Sequence, residues 1–306
     1  MMKKSIPHLW ISALGLLIIA FAGCAATPAP PPDRPQLVPG VVMRDVRFFS
    51  AALQRQMPYR VFLPAVISSG QKLPVVYLLH GGNGGFRDWS NDSEVAEFAA
   101  TARYGGLILV MPEGAFSYYQ NAAMKPDDKY ENYLVNDLIS DVENRFPAAA
   151  GRQNRAIIGI SMGGFAAIKL ALTRPELFAF VGAISPAIDV CERRFSIKRT
   201  GEWWRLRTIF GPVGSKPRHD ADPFVLVQSA DPANTPYLYL TAGEREALLA
   251  PGRRFAARLK QRGFSSEFHT KPGGHDWGEW NSQLSGCFES LHQHLSPAQL
   301  LHSALP

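Results

Sequence analysis

The chain has 306 residues, 46% of them hydrophobic, and a formal net charge of +6 at neutral pH. That length and apolar content suit one large globular domain or two small ones and exclude disorder for the bulk of the chain. The charge forms no basic stripe with interleaved aromatics, so nucleic acid is not among the expected partners; solvation and attraction to anionic envelope surfaces account for it.

The N-terminus places Lys3 and Lys4 before an apolar stretch from Leu9 to Ala22. This is too short for a transmembrane helix and has the form of a bacterial export signal. It ends at Phe21-Ala22-Gly23-Cys24, which resembles a lipoprotein processing box: residues 1–23 are expected to be removed and Cys24 to carry acyl chains. An ordinary secretory signal with a chance cysteine is the alternative. Processing deletes two lysines and no acid, so +6 becomes +4. The expected product is an exported lipoprotein held on a membrane, the outer membrane facing the periplasm or the cell surface. Residues 24–39 follow; Ala25 to Pro39 hold six prolines and few large apolar side chains, which predicts a stiff tether. The folded domain is expected over residues 40–306.

Strands are predicted at Val41 to Phe49, Gln56 to Leu63, Leu73 to Leu79, Gly106 to Met111, Arg155 to Ile160, Phe178 to Ile184, Tyr237 to Thr241 and Ser266 to Lys271. The third and fourth are continuous apolar runs, as expected for strands covered on both faces. The first two alternate more, as edge strands do. Helices are predicted at Ser93 to Tyr104, Tyr130 to Phe146, Met162 to Arg174, Pro251 to Gln261 and Glu279 to His294. Strand and helix alternate from residue 73 onward, which predicts an α/β fold: a mostly parallel eight-stranded sheet with helices on both faces. The stretch Pro186 to Pro236 breaks the rhythm and reads as a cap-like insertion.

Between the fifth strand and its helix lies Gly159-Ile160-Ser161-Met162-Gly163-Gly164, the pattern and context of an α/β-hydrolase nucleophile elbow. A strand turning at once into a helix forces strain on Ser161, and glycines at 159 and 163 leave room for it. An acyl-transfer serine needs a base, an acid that orients the base, and oxyanion donors; here these follow in the order serine, acid, histidine. His275 sits in a turn directly after the last strand, within Lys271-Pro272-Gly273-Gly274-His275-Asp276-Trp277. His219, His269, His292, His294 and His302 lack that placement. His292 and His294 are two apart on a helix and cannot share a metal. The acid should follow the seventh strand, where Glu244 and Glu246 both stand and spacing alone does not choose. Leu78-Leu79-His80-Gly81-Gly82-Asn83-Gly84-Gly85 follows the third strand as an oxyanion loop should; Gly82 and Met162 are the expected backbone N–H donors and His80 a structural residue. No phosphate-loop lysine or dinucleotide fingerprint accompanies these glycines, so neither a cofactor nor a metal is expected.

In these motifs the chain resembles the esterase D family of α/β hydrolases, which includes S-formylglutathione hydrolases, feruloyl and acetylxylan esterases, siderophore esterases and mycolyltransferases. The resemblance covers roughly residues 40 to 295. It rests on the His80-Gly81-Gly82 loop with Trp89, Ser117-Tyr118-Tyr119, Asp137-Leu138, the elbow, the Gly243 to Leu249 turn, and Pro272-Gly273-Gly274-His275-Asp276-Trp277 with Trp280. Relatives reading Gly-Thr-Glu-Asp-Phe-Leu after the seventh strand align on Gly243 to Leu248 and select Glu246 as the acid, with glutamate replacing aspartate. The resemblance implies a serine esterase acting on small-molecule or carbohydrate esters through an acyl-enzyme. An acyltransferase using the same intermediate, and a non-catalytic envelope lipoprotein, are the competing readings.

Two features stay open. Cys191 and Cys287 allow either a disulfide, worth about 4 kcal/mol in the chain-entropy model, or two buried thiols. The insertion carries Arg193, Arg194, Lys198, Arg199, Trp203, Trp204, Arg205 and Arg207. These either recognise a substrate or merely cover the sheet with their cations solvated.

Overall fold

The computed structural model describes residues 32–100 and 106–295. Cys24, the export signal, the first part of the tether and His302 lie outside the described residues. The apolar run Val75 to Leu79 forms β3 (Val75–Leu79), every residue of it buried. Val75, Tyr77 and Leu79 enter one core and Val76 and Leu78 another. A strand covered on both faces has no polar phase, which is why its sequence shows no alternation.

The other strands are β1 (Val41–Ser50), β2 (Arg55–Pro64), β4 (Ile108–Pro112), β5 (Arg155–Ile160), β6 (Phe180–Ile184), β7 (Tyr237–Gly243) and β8 (Ser266–Lys271). They form one sheet in the order β1-β2-β4-β3-β5-β6-β7-β8. β2 pairs antiparallel with both β1 and β4, and every later pairing is parallel. The predicted α/β architecture is therefore present, each strand close to its expected bounds.

The expectation that β2 lies at an edge does not hold, since it sits between β1 and β4. Its central Arg60 is 0% exposed. The guanidinium is held by Asp45 at 2.7 Å, Asp33 at 2.6 Å and the Ser90 hydroxyl at 2.8 Å. Asp33 belongs to the stretch expected to be tether, and Gln36 also donates its backbone N–H to Ser90. The compact unit accordingly begins at Asp33, ahead of the expected start at Gly40.

The helices are α1 (Asp88–Asp92), α2 (Ala96–Ala100), α3 (Tyr130–Asn132), α4 (Ile139–Arg145), α5 (Met162–Thr173), α6 (Thr200–Phe210), α7 (Lys216–Asp220), α8 (Pro223–Ser229), α9 (Leu249–Arg262) and α10 (Trp277–His294). A π-turn at Tyr133–Leu138 joins α3 to α4. Within it Asp137 accepts from the Ser50 hydroxyl and the Ala52 N–H, tying down the β1–β2 hairpin. The insertion supplies α6, α7 and α8. Buried Arg218 pins it by donating to the backbone carbonyls of Cys191, Val190 and Arg193.

Removing the buried cation while leaving its carboxylates should expose how much the N-terminal stretch depends on it. Arg60→Ala is expected to lower unfolding free energy by about 3 kcal/mol in urea titrations. An unchanged midpoint would show that Asp33 and Asp45 are only incidentally near.

Candidate active site

Ser161 stands between β5 and α5 at φ 52° and ψ −108°, a left-handed region that side chains avoid. The neighbouring glycines make this turn possible. A Cβ on Gly159 would lie 2.2 Å from the Gly163 backbone, and one on Gly163 would lie 2.4 Å from the Leu79 carbonyl oxygen. The predicted elbow is thus a close approach of bare backbone from β3, β5 and α5. Phe165 N–H donates the first helical bond, to the Ser161 carbonyl at 3.0 Å. The N–H of Met162 lies in the first turn, which has no intrahelical acceptor, at the positive end of the α5 dipole.

His275 reaches this serine from the turn after β8. Its Nε2 lies 2.9 Å from Ser161 Oγ and its Nδ1 lies 2.7 Å from Glu246 Oε2. The partners assign the tautomer: Nδ1–H donates to the carboxylate, and Nε2 accepts from the hydroxyl. Glu246 Oε1 accepts from the Gly243 N–H at 2.9 Å. The Glu246 side chain is 1% exposed and that of His275 is 38% exposed, so the acid is sealed in while the imidazole faces the cavity. Glu244 points elsewhere and accepts from the Thr270 hydroxyl. Trp280 meets the imidazole edge-on at 5.1 Å.

The glycine loop after β3 lies alongside. A Cβ on Gly81 would be 3.7 Å from Ser161 Cβ, and one on Gly82 would be 3.0 Å from the Phe116 ring and 4.0 Å from Met162 Cβ. His80 is buried and braces the loop: its Nδ1 donates to the Gly81 carbonyl and its Nε2 accepts from the Gly114 N–H. The Glu113 carboxylate stands 3.6 Å from Nε2. His219 on α7, His269 on β8, and His292 and His294 on α10 stand away from this cavity.

These groups open into a cavity of about 920 Å³, within the range of ligand pockets. Phe116, Tyr118, Trp277 and Trp280 supply aromatic walls, and the insertion contributes Arg193, Glu202 and Arg205. The cap-like insertion thus borders the cavity, together with Phe116, which no sequence pattern marks. That ring bears on the site only through the fold of the loop after β4.

Of the two readings left open for the cysteines, the structure has the buried thiols and not the disulfide. Cys191 and Cys287 are free, buried thiols. Cys191 packs in the core on one face of the sheet and Cys287 in the core on the other, so the sheet separates them. Burial pushes both thiols well above the ordinary range.

Behind Glu246 lies a second carboxyl group, Glu279, 3% exposed. Gln283 donates to its Oε1 at 2.6 Å and Ser185 to its Oε2 at 3.4 Å. Burial raises its pKa above the ordinary carboxyl range, and the Glu246 charge adds to the rise against the effect of the Gln283 bond.

Comparison with known proteins points one way. The family model described as "Putative esterase" matches residues 50–291. An acetyl esterase of Caldicellulosiruptor saccharolyticus is 25% identical over 264 residues, which are 81% of this chain and 97% of that protein. An esterase of Mycobacterium tuberculosis (strain ATCC 25618 / H37Rv) is 29% identical over 257 residues, 75% of this chain and 54% of that protein, so the match spans about half of it. The solved structure of a Staphylococcus aureus fluorophosphonate-binding serine hydrolase shares the fold with a TM-score of 0.70 at 22% identity, covering 82% of this chain and 98% of the other.

The raised pKa of Glu279 has a signed consequence. Its protonated form favours the folded state, and that contribution fades as pH rises from the unfolded value of 4.5 through the folded one. Glu279→Gln, which mimics the protonated acid, should flatten the decline of melting temperature over that window. A decline as steep as in the parent would assign it to other groups.

Proposed function

The chain belongs to the esterase family and is a carboxylic ester hydrolase, and from that premise we propose that it works through a Ser161–His275–Glu246 triad and an acyl-enzyme. The observation that carries this reading is the unbroken relay of 2.9 Å and 2.7 Å contacts from Oγ through the imidazole to a sealed carboxylate. His275 Nε2 takes the hydroxyl proton as Oγ attacks the ester carbonyl. The tetrahedral oxyanion is held by the N–H groups of Gly82 and Met162, the positive end of α5 favouring the charge. Collapse breaks the ester C–O bond, and the imidazolium returns its proton to the leaving alkoxide. Water then attacks the acyl-enzyme by the same steps and releases the acid. Glu246 holds the tautomer and stabilises the imidazolium without taking its proton.

The likeness to an acetyl esterase supports small acyl groups among the substrates. The aromatic walls of the cavity suit an aryl or sugar moiety on the same ester. We propose as well that the enzyme is exported and anchored to a membrane through acylated Cys24; the support is the processing-box sequence before it.

Ser161→Ala should lose fluorophosphonate labelling and about 10⁶-fold in turnover of p-nitrophenyl acetate. Glu246→Ala should lose about 10⁴-fold, while Glu244→Ala stays near the parent rate. Undiminished turnover in Ser161→Ala sinks the mechanism, and a reversed order of the two glutamate variants reassigns the acid. For the anchor, Cys24→Ser should abolish incorporation of an alkynyl fatty acid and move the protein out of the membrane fraction. Retention of both in the variant would refute lipidation at that residue.

A further inference from the structure

Two arginines of the insertion line the cavity that holds Ser161, and they differ in one respect. Arg193 is fully engaged: it donates to Asp189 at 2.9 Å and to Glu202 at 2.9 Å. Arg205 forms no hydrogen bond or ion pair with any described residue. Its guanidinium lies flat on the Phe116 ring, 3.4 Å from the centroid. Phe116 in turn packs on the Gly82 loop, where a Cβ would meet the ring at 3.0 Å. The stacked plane therefore sits one ring away from the oxyanion loop.

A guanidinium held by its face keeps the N–H groups around its edge free, and that edge matches a carboxylate in a bidentate fork. Stacking also fixes the side chain beforehand, so less rotamer freedom is lost when an anion arrives. The surroundings of the two arginines respond accordingly. Arg193 has its pKa raised, burial being outweighed by Tyr118, Asp189 and Glu202. Arg205 has its pKa lowered, chiefly by desolvation. The carboxylates that share the cavity are committed elsewhere or lie by another wall. Glu246 serves His275, Glu202 pairs with Arg193 and reaches Arg205 only through its charge, Asp276 caps α10 by accepting from Glu279 N–H, and Asp88 stands by the Gly84 loop. Arg207, two residues along α6, does not line the cavity and lies against Trp203 and Trp204, 5.8 and 5.6 Å from their ring centroids.

Resting on the serine-esterase reading above, we propose that Arg205 is a specificity-determining residue and that the natural substrate is an ester bearing a second, free carboxylate that docks on its edge. Phe116 is the positioning residue that holds the guanidinium plane. A further cavity of about 210 Å³ shares both Phe116 and Arg205 as a wall. Lys125 and Asp128 also line it.

The test compares two matched pairs of esters. p-Nitrophenyl hemisuccinate against p-nitrophenyl butyrate places the carboxylate on the acyl side. p-Carboxyphenyl acetate against its methyl ester places it on the alcohol side. The parent enzyme should prefer the anionic member of one pair. Arg205→Ala should lower that anionic-to-neutral ratio of kcat/KM about 10- to 100-fold, carried by KM, since the contact lies away from the reacting atoms. Arg205→Lys should fall between, and Arg207→Ala should keep the parent ratio. Absence of any preference in the parent, an unchanged ratio in Arg205→Ala, or an equal fall in Arg207→Ala overturns the proposal. Ser161→Ala run on the same four esters reports on the nucleophile alone. Residual parent-like turnover there refutes the triad, whereas loss of turnover there with an unmoved Arg205 ratio refutes only the carboxylate site.

Discussion

Everything at the site depends on a steric constraint at the end of β5. Ser161 is held at a backbone conformation that costs on the order of 1–3 kcal/mol, and it stays there because three segments of bare backbone close around it. Leu79 at the end of β3 faces Gly163 in α5, and Gly159 in β5 faces the same helix. With no Cβ between them, the strand, the helix and the neighbouring strand are locked in one register. The hydroxyl emerges at the C-terminal edge of the sheet, beside the first N–H groups of α5. Any side chain at those glycines would part the layers before it altered the chemistry.

Around that point the charges are graded by burial. Glu246 is enclosed and satisfied on both oxygens, by His275 and by the Gly243 N–H. His275 is partly open to the cavity while its orientation is set from behind. Glu279 completes the enclosure: a buried carboxyl stands behind Glu246, its pKa raised by desolvation and by the Glu246 charge. The same logic operates at the far side of the sheet, where Arg60 is buried only because Asp33 and Asp45 accompany it. Arg205 departs from the pattern, a cavity cation stacked on a ring with no carboxylate hydrogen-bonded or ion-paired to it among the described residues.

Much of this was legible residue by residue. Strands buried on both faces show as unbroken apolar runs because neither face needs a polar side chain, as Val75 to Leu79 illustrates. The elbow was legible because its glycines answer a local steric demand. His275 was legible because a turn after the last parallel strand returns the chain to the edge where the serine emerges. Less legible were residues whose role depends on partners distant in sequence. Arg60 is buried through a partner, Asp33, that stands 27 positions away. The cysteines looked pairable because nothing in their spacing records that a sheet runs between them.

The chain's own order of residues was enough to establish the parallel sheet, the strained serine and the succession of serine, acid and histidine, since strand pattern, turn sterics and loop position are properties of short segments. By the residues alone, Glu244 and Glu246 were equivalent, and so were Arg205 and Arg207. The resemblance pointed to Glu246, and the tertiary structure sets its carboxylate against His275 and puts Arg205 on the cavity. Two positions apart in a turn or a helix, such side chains point in different directions, and the choice of which one meets the cavity is made by the packing of β7 against β8 and of α6 over Phe116.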